Sequence, residues 1–180
     1  MKKVLYSIFA VCLVFLASCA KDEPGATAVE QMAGQWVVEL DCIDDNGESM
    51  GDIFGVGQFL ILTYNTPDNS PSKLYVDDLG NFWTFKVVAD CDLASLTFEA
   101  DATSEAYDGS DLYDINVKIT DGKIAKNGVE TPGGHITDKI EFDILFEDDQ
   151  YTTQHGGPYY HHMHLSGWRY LGFEDDGFEP

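Results

Sequence analysis

From Gln35 onward the chain alternates between apolar and polar positions. Trp36, Val38, Leu40 and Cys42 fall on one side of a period-two pattern, with Val37, Glu39 and Asp41 on the other. The run ends at Asp44-Asp45-Asn46-Gly47, whose Asn-Gly pair is a strong hairpin signal. Further strand-like runs cover residues 54–64, 82–89, 93–99, 113–120, 124–129, 139–147 and 159–168. In two of them the sidedness is clear: Ile140, Phe142, Ile144 and Phe146 alternate with Lys139, Glu141 and Asp143, and Tyr113, Ile115, Val117 and Ile119 alternate with Asp114, Asn116 and Lys118. Each such strand has one dry face and one wet face. Clusters of Gly, Pro, Asn and Asp at 66–71, 77–81, 108–111, 121–122, 131–134 and 147–149 supply the reversals between them. Beyond the N-terminal apolar run no window of a dozen residues keeps a helical period, which excludes βαβ architectures. The expected fold is all-β, with about eight antiparallel strands arranged as a closed meandering barrel or as a two-sheet sandwich. No internal repeat is visible, which disfavours a propeller.

The first nineteen residues follow a different logic. Met1-Lys2-Lys3 is basic, residues 4–16 are apolar except for Ser7, and Leu16-Ala17-Ser18-Cys19 follows at once. The apolar run is shorter than the roughly 20 residues that span a bilayer, and small residues stand where a signal peptidase would cut. This segment resembles the lipobox of bacterial lipoproteins, which implies cleavage before Cys19 and lipid attachment to it. The expected organisation is a lipoprotein signal peptide at 1–18, a lipid anchor and tether at 19–33, and a barrel domain at 34–180. Within the tether, Lys21-Asp22-Glu23 resembles the acidic segment that sends lipoproteins of the Bacteroidetes to the cell surface. Residues 26–33 are expected to make one helical turn or lie irregular. An outer-membrane lipoprotein, facing the cell surface or the periplasm, is the expected location.

Composition narrows the partners. The formal charge is -22, yet 44% of the residues are hydrophobic and 13% aromatic, so the chain can cover a core rather than stay disordered. So anionic a protein is excluded from binding nucleic acid, where affinity comes from Lys and Arg replacing counterions. Contact with anionic headgroups is disfavoured too, unless the lipid on Cys19 makes it. With Cys12 in the signal segment and Cys19 lipidated, Cys42 and Cys91 remain, in a compartment where disulfides persist. They are expected either to bridge or to serve as two small buried hydrophobes.

Gly34-Gln35-Trp36 opens the first strand, and Arg169, the single Arg of the chain, ends the last in Gly167-Trp168-Arg169-Tyr170. This pairing resembles the lipocalin-like, or calycin, barrels, in which the indole of a Gly-x-Trp motif closes the barrel bottom beneath an Arg from the far end of the chain. The resemblance favours the barrel over the sandwich and implies a closure by Trp36 and Arg169, with cation–π attraction of about 0.5–2 kcal/mol. Leu62-Thr63-Tyr64-Asn65-Thr66, Asp77-Asp78 before Phe82-Trp83-Thr84-Phe85-Lys86, Asp138-Lys139-Ile140-Glu141-Phe142 and the closing Ser166 to Asp175 stretch carry a narrower likeness. They are similar to a Bacteroidetes lipoprotein family called lipid-binding putative hydrolases, whose members have a lipocalin-like barrel. The likeness covers most of the chain but transfers no functional residue.

Candidate chemistry is sparse. No Gly-x-Ser-x-Gly elbow occurs, and Ser110 and Ser166 sit in turn-like contexts. The five histidines lie at 135, 155, 161, 162 and 164. On a strand, His162 and His164 would share a face about 6–7 Å apart and are the candidate metal ligands, against a plain wet strand face as the alternative. Asp41, Asp44, Asp45, Asn46 and Glu48, or Asp108, Asp111 and Asp114, offer oxygens for calcium, but neither group keeps the spacing of a calcium loop, and Asx turns explain them. No cofactor is expected. The expected function is a lipid-anchored barrel that binds a small hydrophobic or amphipathic ligand, lined by Phe59, Ile61, Trp83, Phe85, Tyr113, Phe142 and Ile144 or, equally, with these residues as packed core. The alternatives are a surface glycan-binding or assembly subunit working with a surface-complex partner, and a weak esterase acting in the pocket.

Overall fold

The computed structural model describes residues 26–44, 46–149 and 162–178. The signal segment, Cys19, His155, His161, Tyr159, Tyr160 and the side chain of His162 lie outside them. The strands are β1 (Gly34–Ile43), β2 (Ser49–Gly51), β3 (Phe59–Asn65), β4 (Lys73–Asp77), β5 (Lys86–Asp92), β6 (Thr97–Thr103), β7 (Tyr107–Asp108), β8 (Asp111–Leu112), β9 (Asn116–Glu130), β10 (Ile136–Phe146) and β11 (His162–Arg169). Eight of them form a closed antiparallel barrel in the order β1-β3-β4-β5-β6-β9-β10-β11, and β11 returns to β1 through a ladder from Trp36↔Arg169 to Ile43↔His162. Closure leaves the barrel no free sheet edge. The short β2 adds to the end of β1, and β7 and β8 form a separate two-stranded hairpin.

The alternation of the sequence becomes the inside and outside of the barrel. Trp36, Val38, Leu40 and Cys42 of β1, Leu74 and Val76 of β4, Val117, Ile119 and Ile124 of β9, Ile140, Phe142, Ile144 and Phe146 of β10, and Met163 and Leu165 of β11 are all buried in one core.

Several expectations require correction. β4 is a strand where the sequence shows only a short gap between two turn clusters. Its five residues bury just Leu74 and Val76, too brief a pattern to stand out. Residues 113–120 and 124–129, expected as two strands, belong largely to the single strand β9, because Asp121-Gly122 makes a bulge rather than a turn. Asp121 takes a positive φ of 55°, and the register skips between Phe98 and Ala100 on β6 and between Glu141 and Asp143 on β10. Gly122 packs so closely on Phe98 that a Cβ would overlap its carbonyl and ring. Loops rather than strands hold residues 54–58 and 82–85. Val29 and Met32, from the segment expected as tether, are fully buried against the barrel core. Finally, of the two alternatives for Cys42 and Cys91, the bridge is not formed: both are free thiols. Cys42 lies in the core on β1, Cys91 lies half-buried on β5, and β3 and β4 stand between these strands in the sheet.

Strand direction sorts the connections between two ends. One end carries residues 44–58, 78–85 and 104–115 and the start of the β10–β11 connection; the other carries 66–72, 93–96 and 131–135. The second end is closed as the resemblance implied. The Arg169 guanidinium lies 4.5 Å from the Trp36 ring, Arg169 donates to the Ala33 carbonyl at 2.7 Å, and it pairs with Asp138 at 3.2 Å. The Trp36 indole N–H donates to the Thr63 hydroxyl (2.8 Å), which donates in turn to the Met32 carbonyl (2.5 Å). Lys126 reaches the Gln31 carbonyl at 2.6 Å. The turn at residues 27–33 is thereby fastened beneath the barrel.

Candidate functional site

The first end of the barrel is aromatic. Met50, Ile53, Phe54, Leu79, Tyr107 and Leu112, six of the nine exposed large hydrophobics among the described residues, lie on its connections. Two carboxylates shape the loops that carry the rings. Asp78, with no exposed surface, accepts five backbone N–H groups: Gly80 and Phe85 on Oδ1, and Phe82, Trp83 and Thr84 on Oδ2, at 2.8–3.1 Å. This wraps residues 80–85 around one buried anion, and it holds Thr84 at φ 55° and Leu79 at φ 56°. Each N–H bond to a charged acceptor contributes more than a neutral one, about 1.5–3 kcal/mol. Asp52 does the same on a smaller scale, accepting from the Phe54 N–H at 3.2 Å and the Gly57 N–H at 2.8 Å.

The two loops bring their rings together. Phe54 meets Phe82 at 5.8 Å and Trp83 at 5.5 Å, both edge-on. Phe82 continues inward to Phe59 at 5.4 Å. Trp83 stacks flat on Phe146, with centroids 4.7 Å apart and planes 4° from parallel, and Phe146 in turn touches Phe85 at 5.4 Å. A continuous aromatic path therefore runs from the exposed Phe54 to the fully buried Phe85. Asp148 fixes the Trp83 edge, accepting the indole N–H at 2.8 Å and also the Tyr113 hydroxyl. Burial, and then the Asp148 carboxylate beside it, push the Tyr113 phenol up to about 12, so at neutral pH it is a hydrogen-bond donor.

The residues expected to line a cavity divide into two groups. Ile61, Phe85, Phe142 and Ile144 have no exposed surface and Phe59 has 5%, so no water-sized space adjoins the first four, and they serve as packed core. Trp83 and Tyr113 are half-buried and belong to the aromatic end, joined through Asp148. Phe54, Phe82, Phe146, Asp78 and Asp148 were missed as site residues. For Asp78 and Phe82 the sequence carries a signal, the Asp77-Asp78 turn four residues ahead of the Phe82-Trp83 pair, where an acid that serves a loop precedes two rings; Phe54, Phe146 and Asp148 carry none.

The remaining candidates lie elsewhere. His164 of β11 pairs through Nδ1 with Asp143 of β10 at 2.7 Å on the outer face, and among the described residues no serine hydroxyl bonds to a histidine ring. Asp44 accepts the N–H groups of Asn46 and Glu48, both at 2.8 Å, and so forms the Asx turn expected of its loop. An open hollow of about 580 Å³ is lined by Asp90, Cys91, Asp92, Phe98, Glu99 and Lys123 among others, from β5, β6 and β9. Residues 90–92 and 97–99 flank the 93–96 connection, at the end opposite the rings.

No curated protein matches the chain. Residues 21–174 match the profile of the lipid-binding putative hydrolases, a span that includes the whole barrel and both aromatic loops, and the chain belongs to that family.

Proposed function

We propose that the protein binds a small hydrophobic or amphipathic ligand at the aromatic end of its barrel, without catalysis, while lipid on Cys19 holds it at the outer membrane. The observation that carries this reading is the aromatic path from exposed Phe54 through Phe82 and Trp83 to Phe146 and Phe85. Rings that are exposed at one end and continuous with the core at the other give an apolar molecule a place to leave water without the protein unfolding. Family membership supports a lipid as the ligand class. The surrounding acids argue for a neutral molecule: Asp52 and Asp148 flank the rings, while Arg169 is engaged at the opposite end by Trp36, Ala33 and Asp138. A free fatty-acid carboxylate would meet like charge there.

The lipobox-like Leu16-Ala17-Ser18-Cys19 supports this location. Residues 26–33 pack at the end opposite the rings, so a tether from Cys19 would present the aromatic end away from the membrane. Titration with a neutral hydrophobic fluorophore, followed by displacement with monoacylglycerol, tests the binding. Saturable enhancement that monoacylglycerol reverses and that Phe54→Ala/Trp83→Ala weakens supports the proposal. Enhancement that is absent, or unchanged in the double variant, overturns it.

A further inference from the structure

At the end opposite the rings, the turn between β9 and β10 meets a short 3-10 turn, Glu174–Asp176. One imidazole and two carboxylates converge there: His135, Asp175 and Asp176 each bring a ligand atom within 4.8 Å of the others. On so acidic a protein, clustered carboxylates are ordinary. The burial of Asp176 is not. It has no exposed surface, its Oδ1 accepts the Thr131 hydroxyl, and its Oδ2 has no hydrogen-bond partner in the structure. A carboxylate oxygen withdrawn from water without a donor is costly, and buried charges are ordinarily paired or bound to metal.

The surroundings hold these groups in place. Thr131 donates to Asp176 and also accepts the His135 backbone N–H at 3.1 Å, so a single hydroxyl ties two of the three residues together. The His135 ring lies on Phe173, with centroids 4.4 Å apart, and its Nε2 stands 3.2 Å from Asp175 Oδ1. Gly133 packs so tightly on Asp175 and Asp176 that a Cβ would crowd both. The Thr131 hydrogen bond behind the Asp176 carboxylate is the kind of support that orients a ligand in a metal site.

We propose that His135, Asp175 and Asp176 bind a first-row divalent transition-metal cation, with water completing the coordination on the exposed side. One imidazole nitrogen with two carboxylate oxygens suits Zn2+ and its neighbours better than calcium, which takes six to eight oxygens. The side chains of His135 and Asp175 are 35% and 64% exposed, so they can close the last ångström around an ion that Asp176 anchors from below. The bound ion pins the C-terminal segment to the β9–β10 turn and supplies the positive charge that Asp176 Oδ2 lacks.

Calorimetric and thermal-melt titration of chelator-stripped full chain with Zn2+ tests this, comparing wild type with His135→Gln and Asp176→Asn. Wild type is expected to take up one zinc with a rise in Tm, and each variant to lose at least about tenfold in affinity together with the rise. Asp176→Asn keeps the Thr131 bond and removes an unpaired charge, so the melt of the metal-free variant reports whether it folds; His135→Gln, on a partly exposed residue, provides the second readout. Absence of heat and of a Tm shift in wild type overturns the proposal. So does undiminished binding in both variants, which would assign the zinc to other histidines.

Discussion

A single buried carboxylate decides the geometry of the aromatic end. Asp78 is fully buried, yet it is surrounded by five N–H donors rather than by a cation. Those donors belong to residues that no strand ladder serves, so the side chain does for the loop what a neighbouring strand does elsewhere. Asp78→Asn keeps the volume but turns an amide NH2 toward donors and removes the charge from the rest. We expect a loss of about 2–4 kcal/mol in urea unfolding, since charged hydrogen bonds and stranded donors each contribute about 1–3 kcal/mol. Trp83 should become more solvent-exposed in the folded variant and its emission should shift to the red. An unchanged unfolding midpoint would show that the loop holds its shape by ring packing alone.

At the scale of strands, the seam between β1 and β11 is where the chain's two ends meet. Gly167 faces Val38 there, and a Cβ on it would overlap the Val37 carbonyl, which is backbone and cannot swing away. Gly167→Ala must therefore push the closing strands apart. We expect it to cost about 2–4 kcal/mol, near the upper range for a single substitution, with early hydrogen exchange along β1 and β11 as the signature. Exchange unchanged in those strands would mean that the seam tolerates the shift. The sequence foretold this seam through Gly34-Gln35-Trp36 and Arg169, because a rare residue type at each terminus is a visible signal. It concealed β4, whose two inward residues are fewer than periodicity needs, and it divided β9 at Asp121-Gly122, since a bulge and a turn use the same residues. The barrel nonetheless has the expected eight strands, because one concealed strand offsets one false division. The candidate site was legible only in part. Inward strand residues look alike whether they line a cavity or fill a core, and Phe54, Phe82 and Trp83 at the aromatic end sit on loops, where no period marks which side they face.

For the molecule as a whole, charge is the term that the fold does least to offset. A formal -22 on a chain of this size leaves most carboxylates without a basic partner, and the lysine pairs among the described residues, Lys73–Asp90, Lys126–Asp138 and Lys139–Glu141, lie on or near the surface. Repulsion among the remainder opposes the compact state, and salt weakens it as the screening length falls from about 10 Å at 0.1 M to 3 Å at 1 M. Salt also weakens the few surface pairs, but these contribute at most about 1 kcal/mol each, so repulsion should dominate. Raising sodium chloride from 0.05 to about 0.5 M is therefore expected to raise Tm. Acid acts in the opposite direction. Burial alone would raise the Asp138 carboxyl, but Lys126, the Asn127 N–H and Arg169 outweigh it and hold the group below the usual range; the Lys139 bond does the same for Glu141. A carboxylate whose pKa is lower in the folded state stabilises the fold above its unfolded value, near 4, and that stability disappears as pH falls through the lower folded value. Because Asp138 joins β10 to the Arg169 closure and to the Lys126 hold on the N-terminal turn, its protonation loosens the end that keeps the barrel shut. Melts between pH 5 and 2.5 should show a steep loss of stability below about pH 4 that is shallower in Asp138→Asn, and the salt effect at pH 7 should survive in that variant. A Tm that falls with salt at pH 7 would mean that the ion pairs, rather than the excess acids, set the electrostatic balance.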